Sequence, residues 1–400
     1  MKQAVIVDGV RTPMGKHGGS LARVRPDDLS ALVIQEIIRR TGVEPKEVED
    51  VIFGCANQAG EDNRNVARMA LLLADFPPEV PGQTVNRLCG SSLQAIITAC
   101  QAIQTGNGEV YIAGGVESMS RAPFVFAKPE IPFPWGHITV YDSTIGWRFV
   151  NPKMTQKYRP LSMGETAECL NEKYRISREE QDLFALRSHQ RAVQAWKSGI
   201  FAEEVVPVEV EQKKGPPIRV EKDEGPREDT SLEKLARLPP VFKENGTITA
   251  GNSSPLSDGA SAVLIMEEAR AKEMGFKPYF RLVASAVAGV HPDFMGLGPV
   301  PATRKALQRA NLTLSDIDIV EINEAFAAQV LACCRELEMP LEKINPNGGA
   351  IALGHPLGCS GARIVTTLIH EMRRKDYRYG LTTMCIGVGQ GIAAIWEKVG

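Results

Sequence analysis

A cysteine near residue 90 has a setting that favours covalent chemistry. Cys89 lies in TVNRLCGSSLQAI, where a strand-like TV is followed by a turn and by a helix that starts at about Gly90. The unpaired N–H groups and the positive end of the dipole at a helix N-terminus favour thiolate over thiol. The segment therefore predicts a nucleophile that attacks a carbonyl group. Burial statistics favour a structural cysteine instead, and on this segment alone both interpretations stay open.

Two glycine-rich segments near the C-terminus could supply proton transfer. Residues 345–363, NPNGGAIALGHPLGCSGAR, contain His355 between residues that restrict the backbone, which favours a positioned base. Cys385 precedes a glycine turn in MCIGVGQGIA. A dinucleotide-binding loop is disfavoured there, because strand-like residues and not a helix follow the glycines. A further segment, EINEAFAAQV, follows a predicted strand, begins a helix and contains Asn323, Glu324 and Phe326.

An internal repeat predicts the elements that position these residues. IIRRTGVEPKEVEDVIFG and ALQRANLTLSDIDIVEIN each have the pattern of a helix end, a turn, an acidic segment and a strand. At the same offset Cys89 falls beside Gly358 and Cys359, and each site begins a Gly/Ser-rich turn followed by an apolar-periodic helix. Strand and helix patterns alternate in both halves, which predicts βαβ units and a mostly parallel sheet. Cys89 and the His355 turn therefore take equivalent positions in two similar α/β halves.

The chain between the halves has a different composition. It is rich in Pro, Trp and Phe, as in APFVFAKPEIPFPWGH, and it contains a helix whose capping box is Ser177 and Glu180. A long insertion on a rigid scaffold usually covers a binding site, and an oligomer contact is the alternative. The predicted domains are a first half at 1–120 plus 251–275, a loop domain at 121–250 and a second half at 276–400.

Composition and charge exclude several classes of function. Of the 400 residues, 43% are hydrophobic and 24% are charged, which are ordinary globular values and argue against disorder. The net charge of −2 gives no general attraction for nucleic acid or an anionic membrane. The chain shows neither a leader pattern nor the run of about 20 apolar residues that spans a bilayer, so we expect a cytoplasmic protein. None of the eight cysteines forms a CxxC pair, so no metal site is expected.

Five motifs, taken together, resemble the thiolase family and occur in the order typical of that family. They are TVNRLCGSS, GGVESMSRAP, NEAFAAQ, NGGAIALGHPLGCSGAR and MCIGVGQG. The resemblance implies the α/β thiolase fold, with two βαβαβαββ halves in a five-layered core and an inserted loop domain. It implies an acetyl-CoA C-acyltransferase that cleaves a 3-oxoacyl-CoA with CoA, in a homodimer or homotetramer. Coenzyme A is then a co-substrate, and no permanently bound cofactor is expected.

The resemblance also implies a role for each site residue. Cys89 accepts the acyl group, His355 activates it, and Cys385 is the general acid and base. Asn323 holds an ordered water in an oxyanion hole to which His355 contributes, and the N–H groups of Cys89 and Gly387 form the other hole. Such donors are needed because both the tetrahedral intermediate and the enolate develop charge on oxygen. The implied contacts with CoA and the acyl end are Ser254 in AGNSSPLSDG, Arg227 in GPRED, Met163 in SMGETAE and Phe326.

Several interpretations of the substrate follow from the sequence. DSTIGWRFVNP resembles the branch that cleaves 3-oxoadipyl-CoA in aromatic degradation, MGLGPVPA resembles fatty-acid 3-ketoacyl-CoA thiolases of β-oxidation, and SMGETAE departs from the oxoadipyl pattern. Arg148 either pairs with a distal carboxylate or is a structural arginine against Trp147 or Phe149. The alternatives are a biosynthetic acetoacetyl-CoA thiolase and a non-catalytic acyl-CoA or lipid-binding relative. A decarboxylating condensing enzyme is disfavoured by Asn323, where a second histidine would be expected.

Overall fold

Strands and helices alternate along the chain in the computed structural model, which describes residues 2–277 and 280–399. The strands are β1 (Ala4–Arg11), β2 (Gly15–Lys16), β3 (Asp50–Gly54), β4 (Gly82–Val85), β5 (Val110–Ser118), β6 (Phe124–Val125), β7 (Tyr141–Asp142), β8 (Val208–Val210), β9 (Ile218–Val220), β10 (Ser257–Glu267), β11 (Phe280–Gly289), β12 (Ile319–Ile322), β13 (Tyr379–Ile386) and β14 (Gln390–Lys398). The α-helices are α1 (Pro26–Thr41), α2 (Val66–Leu73), α3 (Ser91–Gln104), α4 (Pro152–Thr155), α5 (Met163–Tyr174), α6 (Arg178–Lys197), α7 (Leu232–Ala236), α8 (Glu268–Glu273), α9 (Pro299–Ala310), α10 (Ala327–Leu337), α11 (Ala350–Leu353) and α12 (Leu357–Lys375). Short 3-10 helices lie at Pro45–Glu47, Met119–Arg121, Ile200–Glu203, Pro292–Leu297, Leu314–Asp316 and Leu341–Lys343.

The main sheet consists of two similar halves. Within the part of the chain that the structure describes, its order is β12-β13-β14-β11-β1-β10-β5-β3-β4, and β2 pairs with β10. In the first half β3 is parallel to β4 and β5, while β10 is antiparallel to β5 and β1. The second half repeats this pattern, because β12 is parallel to β13 and β14 is antiparallel to β13 and β11. The halves meet where β1 pairs with β11, and a parallel bridge between Val320 and Ile344 stands where β4 lies in the first half.

Equivalent elements at one offset confirm the repeat that the sequence predicts. Helices α1 and α9 both end at a left-handed residue, Gly42 with φ 66° and Asn311 with φ 55°. Such a residue ends a helix because its N–H bonds back to one of the last carbonyl groups. The 3-10 helices Pro45–Glu47 and Leu314–Asp316 come next, followed by β3 and β12. In both halves, therefore, the first helix ends at a left-handed residue and a 3-10 helix leads into the next strand.

The alternation of side chains along the strands creates the layers. In β1, Val5 and Val7 pack in a cluster with α1 and α2, whereas Ala4 and Ile6 pack against the central helices. In β14 the same alternation separates the central cluster from one formed with α9 and α10. Helices α3 and α12 pack side by side between the two half-sheets. The order helix, sheet, helix, sheet, helix is the predicted five-layered α/β core.

A buried ion network attaches the inserted segment to the first strand. Arg11, at the end of β1, donates from Nε to Glu204 Oε1 at 2.6 Å and from Nη1 to Asp223 Oδ1 at 2.7 Å. Its guanidinium lies 4.9 Å from the ring centroid of Phe201. All three charged groups are buried. Removing one of them would leave an unpaired charge in the interior and would destabilise the folded protein. This network fixes one side of the insertion to the sheet.

The predicted division into two halves and a loop domain stays a prediction at the level of residue boundaries. Residues 1, 278, 279 and 400, which fall within the predicted halves, lie outside the described residues.

Candidate active site

Cys89 lies in a sharp turn between β4 and α3. The preceding residue, Leu88, has φ 47°, a left-handed conformation that residues with a side chain rarely adopt. The buried Ser91 hydroxyl fixes this turn, because it accepts from the Arg87 N–H at 2.9 Å and donates to the Leu88 carbonyl at 2.6 Å. Helix α3 begins at Ser91 after the cap residue Gly90. The turn places Cys89 at the helix N-terminus, as the sequence predicts.

The Cys89 thiol lies against the glycine turn that follows β13. The Gly387 N–H lies close to it and lowers its pKa, while burial, together with charge on Cys89, raises the pKa of the neighbouring Cys385. The residue is partly exposed at the surface, but its thiol is enclosed by protein atoms. Burial raises the pKa of Cys89 to about 11, and the N–H groups of Gly387 and Cys89 offset only part of this rise. The prediction of a stabilised thiolate is therefore wrong for the free protein, because desolvation outweighs the N–H donors.

His355 is held as a neutral imidazole with a defined tautomer. Its Nδ1 lies 2.6 Å from Ser360 Oγ, and that hydroxyl donates to the Pro356 carbonyl at 2.9 Å. Because the single hydroxyl proton is used on Pro356, Nδ1 donates to Ser360 and Nε2 carries the lone pair. Burial, together with the positive charge of Arg363, lowers the pKa of His355 to about 3. Nε2 is therefore an unprotonated base at neutral pH.

Asn323 is buried beside this histidine. Its backbone N–H donates to the Thr383 carbonyl at 3.0 Å, which fixes the start of the NEAF segment to β13. Its Nδ2 lies 3.4 Å from Nε2 of His355. Among the described residues its buried Oδ1 has no hydrogen-bonding partner, and such an atom usually bonds to water or a ligand. The next residue, Glu324, has a structural role, because its carboxylate accepts a hydrogen bond from the Ser188 hydroxyl at 2.7 Å.

Met163 and Phe326 lie in one apolar cluster with Cys385. Met163 is the first residue of α5, and a Cβ placed on Gly387 would lie 3.4 Å from its Sδ. Phe326 packs edge-on against Phe242, with the ring centroids 6.2 Å apart. These two predicted contacts therefore lie beside the cysteines. The other members of the cluster are Ala167, Ile248, Met295, Ala325 and Ala328.

A cavity of about 600 Å³ lies toward the inserted segment, and neither Cys89 nor Cys385 lines it. Arg227 lines it, and the Arg227 backbone N–H donates to Nδ1 of His189 at 3.2 Å. The residues on both sides of Ser254 also line this cavity. Ser254 itself donates two hydrogen bonds to the Ala325 carbonyl, from its N–H at 3.0 Å and from its hydroxyl at 3.1 Å. The Ser254 segment therefore connects this cavity to the NEAF segment. The basic side chains on its wall are Lys16, His17, His189, Arg227 and Lys234, and Lys234 pairs with Asp229 of the same wall at 2.6 Å.

The surroundings of the other six cysteines favour the protonated thiol. Cys169 is partly exposed. Burial raises the pKa of the remaining thiols. Across residues 2–277 and 280–399, no group of three or more His, Cys, Asp or Glu side chains could hold a metal ion. The buried thiols are Cys55, Cys100, Cys333, Cys334 and Cys359.

The structure thus brings Cys89, Cys385 and Gly387 together, and it pairs His355 with Asn323. Ser360, which contacts Nδ1 of His355, is a residue of this site that the sequence did not predict. The available signal was a hydroxyl five residues after the histidine, within the Gly/Ser-rich motif that begins α12. Its partner, Nδ1 of His355, becomes evident only from the fold of that turn.

Comparisons with known proteins agree with this geometry. The family model for the thiolase N-terminal domain matches residues 4–269, and that for the thiolase C-terminal domain matches residues 276–398. The sequence is 55% identical to the 3-oxoadipyl-CoA/3-oxo-5,6-dehydrosuberyl-CoA thiolase of Escherichia coli (strain K12), with both chains covered in full. It is 53% identical, again over 100% of both chains, to the beta-ketoadipyl-CoA thiolase of Pseudomonas aeruginosa. The structure is similar to that of the Bacillus anthracis acetyl-CoA acetyltransferase, with a TM-score of 0.94 and 44% identity over 100% of this chain and 99% of that one. It is also similar to human mitochondrial 3-ketoacyl-CoA thiolase, with a TM-score of 0.92 and 43% identity over the same shares. The chain therefore belongs to the thiolase family of acyltransferases.

Proposed function

We propose that this protein cleaves 3-oxoadipyl-CoA with CoA to acetyl-CoA and succinyl-CoA, through an acyl group carried by Cys89. The observation that carries the proposal is the contact of the Cys89 thiol with the Gly387 N–H, beside Cys385. The two bacterial relatives named for this substrate class support the choice of acyl chain. Breaking the C2–C3 bond leaves carbons 3 to 6 on the enzyme, which makes the transferred group succinyl.

In the first step His355 takes the proton of Cys89. A base is needed because the pKa of Cys89, at about 11, keeps the thiol protonated at neutral pH. Nε2 of His355 is suited to this task, since Nδ1 is occupied by Ser360. The new thiolate attacks C3, and the N–H groups of Cys89 and Gly387 stabilise the resulting oxyanion.

In the second step the C2–C3 bond breaks, and its electron pair forms the enolate of acetyl-CoA. The protonated His355 and a water held by Asn323 donate to the enolate oxygen, a role that the unpartnered Oδ1 of Asn323 supports. Cys385 then protonates C2. Burial and the charge on Cys89 raise the pKa of Cys385 well above its ordinary range, so it retains a proton to give.

In the third step Cys385, now a thiolate, takes the proton of the incoming CoA thiol. The CoA thiolate attacks the acyl carbonyl, Cys89 leaves as thiolate, and His355 returns its proton to Cys89. All groups are then in their starting state. CoA is a co-substrate in this scheme, and we propose no permanently bound cofactor.

For the CoA site we propose the cavity lined by Arg227. Its basic side chains suit a ligand with several phosphate groups. Ser254 joins this cavity to the NEAF segment, and Met163 and Phe326 form the apolar wall at the reacting end. A long flexible thiol that enters past Ser254 would thus reach the cysteines.

A biosynthetic acetoacetyl-CoA thiolase is the second candidate, favoured by the similarity to the Bacillus anthracis acetyl-CoA acetyltransferase. A non-catalytic acyl-CoA or lipid-binding role is disfavoured, since Cys89, His355 and Cys385 are all present.

We further propose a homodimer or homotetramer in the cytoplasm, which agrees with the bacterial origin of the relatives above. As a separate finding, none of the helices in the described ranges has the length and apolar character needed to cross a membrane.

The assay that tests this function mixes the purified protein with 3-oxoadipyl-CoA and CoA and follows the products by mass spectrometry. We expect equal amounts of acetyl-CoA and succinyl-CoA, with parallel double-reciprocal plots because acyl transfer is ping-pong. Cys89→Ser should lower the rate at least about 10³-fold. Wild-type protein that consumes no 3-oxoadipyl-CoA, or a Cys89→Ser variant that keeps the wild-type rate, would disprove the proposal.

A further inference from the structure

Glu117 is a buried carboxylate near the end of β5, and the mechanism above does not use it. Its Oε2 accepts hydrogen bonds from the Ala56 N–H at 3.0 Å and from the Gly358 N–H at 2.8 Å. Its Oε1 accepts one from the Asn57 N–H at 3.1 Å. Among the described residues no basic side chain pairs with it. The carboxylate therefore binds backbone groups of two segments that lie far apart in the chain.

One of these contacts reaches the His355 turn. Gly358 is the second residue of α12, where a backbone N–H has no partner within the helix. A carboxylate at this end of a helix is favoured by the helix dipole. A Cβ on Gly358 would lie 2.7 Å from Cys55 Cα, so only glycine lets the turn approach β3 and β5 so closely. Glu117 thus fixes the start of α12, three residues after His355.

Another contact leads to the Cys89 turn. The Ala56 carbonyl accepts a hydrogen bond from Asn86 Nδ2 at 3.0 Å, and Asn86 Oδ1 accepts one from the Leu88 N–H at 2.9 Å. Leu88 is the left-handed residue directly before Cys89. A continuous chain of hydrogen bonds therefore connects the Glu117 carboxylate with the backbone that places the nucleophile.

The cost of this carboxylate indicates a use other than stability. Burial raises the pKa of Glu117 to about 7, and the three N–H donors offset only part of this rise. Because this pKa lies above its ordinary value of 4.5, the ionised carboxylate lowers the stability of the fold at neutral and higher pH. The ionisable groups around it are Asp62, whose charge also raises this pKa, the thiols of Cys55, Cys89 and Cys359, and the Arg121–Glu61 ion pair.

We infer that Glu117 is a positioning residue, whose carboxylate holds the Cys89 turn and the His355 turn at the spacing that proton transfer between them requires. The inference rests on the proposed function, in which His355 takes the proton of Cys89. Proton transfer needs the two heavy atoms within hydrogen-bond distance, so a small separation of the turns lowers kcat more than it changes KM. A protonated Glu117 would turn an O–H donor toward backbone N–H groups and would loosen these contacts.

Glu117→Gln tests this role, because the amide keeps the size of the side chain but replaces one acceptor oxygen by a donor NH2 group. At about pH 8.5 we expect kcat with 3-oxoadipyl-CoA and CoA to fall about 10- to 100-fold, with KM within about threefold of wild type. Asp318→Asn is the matched control. Asp318 Oδ2 also accepts from two backbone N–H groups, those of Arg378 at 2.8 Å and Tyr379 at 2.9 Å, but at the end of β13 away from Cys385.

The pH dependence of kcat is a readout that a merely structural role would not move. In the wild type kcat should fall as the pH drops below about 7, where Glu117 becomes protonated. The pKa of His355, about 3, and that of Cys89, about 11, lie outside this range. This fall should be absent from Glu117→Gln and retained in Asp318→Asn. A fall caused by Glu321, whose pKa burial raises to about 8, would persist in both variants.

Asn86→Ala is the second variant, which decides the matter if Glu117→Gln does not fold. Asn86 is exposed, so its substitution should leave the fold intact while it breaks the link between Ala56 and Leu88. We expect kcat to fall about threefold to tenfold, with KM little changed, because hydrogen bonds that place the nucleophile are lost. Circular dichroism of each variant shows whether it is folded.

Four results would overturn the inference. They are a folded Glu117→Gln with the kcat of wild type, a pH profile of this variant that matches wild type, a wild-type kcat in Asn86→Ala, and an equal loss of kcat in Asp318→Asn. A raised KM with unchanged kcat in Glu117→Gln counts as the first of these. Failure of the proposed function is distinct, because the wild-type protein would then cleave no 3-oxoadipyl-CoA at any pH.

Discussion

At the scale of single residues, burial shifts the pKa values of the two central groups in opposite directions. It raises the pKa of Cys89 to about 11 and lowers the pKa of His355 to about 3. In both cases burial disfavours the charged form, so the free protein contains a thiol and a neutral imidazole. The nucleophile is therefore generated as the substrate reacts, and a preformed thiolate–imidazolium pair is not expected.

Alkylation of Cys89 should therefore be slow at neutral pH and accelerate with pH. Only the thiolate reacts, and a raised pKa reduces the thiolate fraction at every pH below it, so the rate should rise about tenfold per pH unit from about pH 7 to about pH 10. Iodoacetamide labelling with peptide mapping measures this rate. CoA thioesters should protect Cys89 but not the partly exposed Cys169. A rate that levels off below pH 8 would contradict the raised pKa.

Ser360 should act as a positioning residue for the base. Removing its hydroxyl in Ser360→Ala frees Nδ1 of His355, so that the tautomer with a proton on Nε2 competes, and kcat should fall about tenfold or more with KM little changed. Ser30→Ala is the matched control, because the buried Ser30 hydroxyl makes the same bond to a proline carbonyl four residues earlier, at 2.8 Å, but contacts no histidine. Steady-state kinetics on both variants provide the comparison. A raised KM with unchanged kcat, or the same loss in Ser30→Ala, would argue against this role.

At the scale of elements, two glycines let the central helices approach the first half-sheet closely. A Cβ on Gly54 would lie 2.2 Å from the Ser92 nitrogen, and one on Gly115 would lie 2.1 Å from the Gly358 oxygen. Gly54 thus admits the start of α3, which follows Cys89, and Gly115 admits the start of α12, which follows His355. The strands set the spacing between the Cys89 turn and the His355 turn through these contacts.

Gly54→Ala should disturb both stability and activity. The added methyl group would collide with backbone atoms of α3, and we expect the free energy of unfolding to fall by about 1–3 kcal/mol, together with kcat. Gly289→Ala is the control, because its Cβ would meet its nearest neighbour at an ordinary 3.9 Å. Thermal unfolding and activity of both variants test this. Wild-type behaviour of Gly54→Ala would show that the close approach is not required.

Local features of the site were predictable from the sequence, and features created by tertiary contacts were not. The turns at Gly42 and Asn311 and the helix start after Cys89 depend on neighbouring residues, so periodicity and turn residues predict them. The repeat then predicts that the Cys89 and His355 turns are equivalent. The raised pKa of Cys89 was missed, because burial causes it and Cys89 packs against residues far along the chain, in the apolar cluster that contains Ile386 and Ile392.

At the scale of the whole molecule, the inserted segment carries exposed apolar side chains. Phe133 is 94% exposed and Trp135 is 92% exposed. A contiguous apolar surface usually marks an interaction site, and an oligomer contact is one of the two interpretations of this insertion. We therefore expect this surface to be covered in the proposed homodimer or homotetramer. The other exposed large apolar residues between positions 124 and 149 are Phe124, Phe126, Ile131, Ile138, Val140, Ile145 and Phe149.

Substituting this surface should change the oligomeric state. In a Phe133→Asp/Trp135→Asp double variant, buried charge would oppose association, and the molar mass from light scattering after size-exclusion chromatography should fall below that of wild type. Ile218→Asp is the control, because Ile218 is an apolar residue, 55% exposed, on the separate strand β9. A double variant with the mass of wild type, or a monomeric wild type, would refute this assignment.

Acylation of Cys89 is the central claim, and mass mapping of the enzyme after mixing with 3-oxoadipyl-CoA in the absence of CoA tests it most directly. After acid quenching and digestion, we predict one succinyl group on the peptide that contains Cys89, formed together with acetyl-CoA and removed when CoA is added. Acetyl-CoA release without any acylated peptide, or a succinyl group on Cys385 or another residue in place of Cys89, would contradict the mechanism.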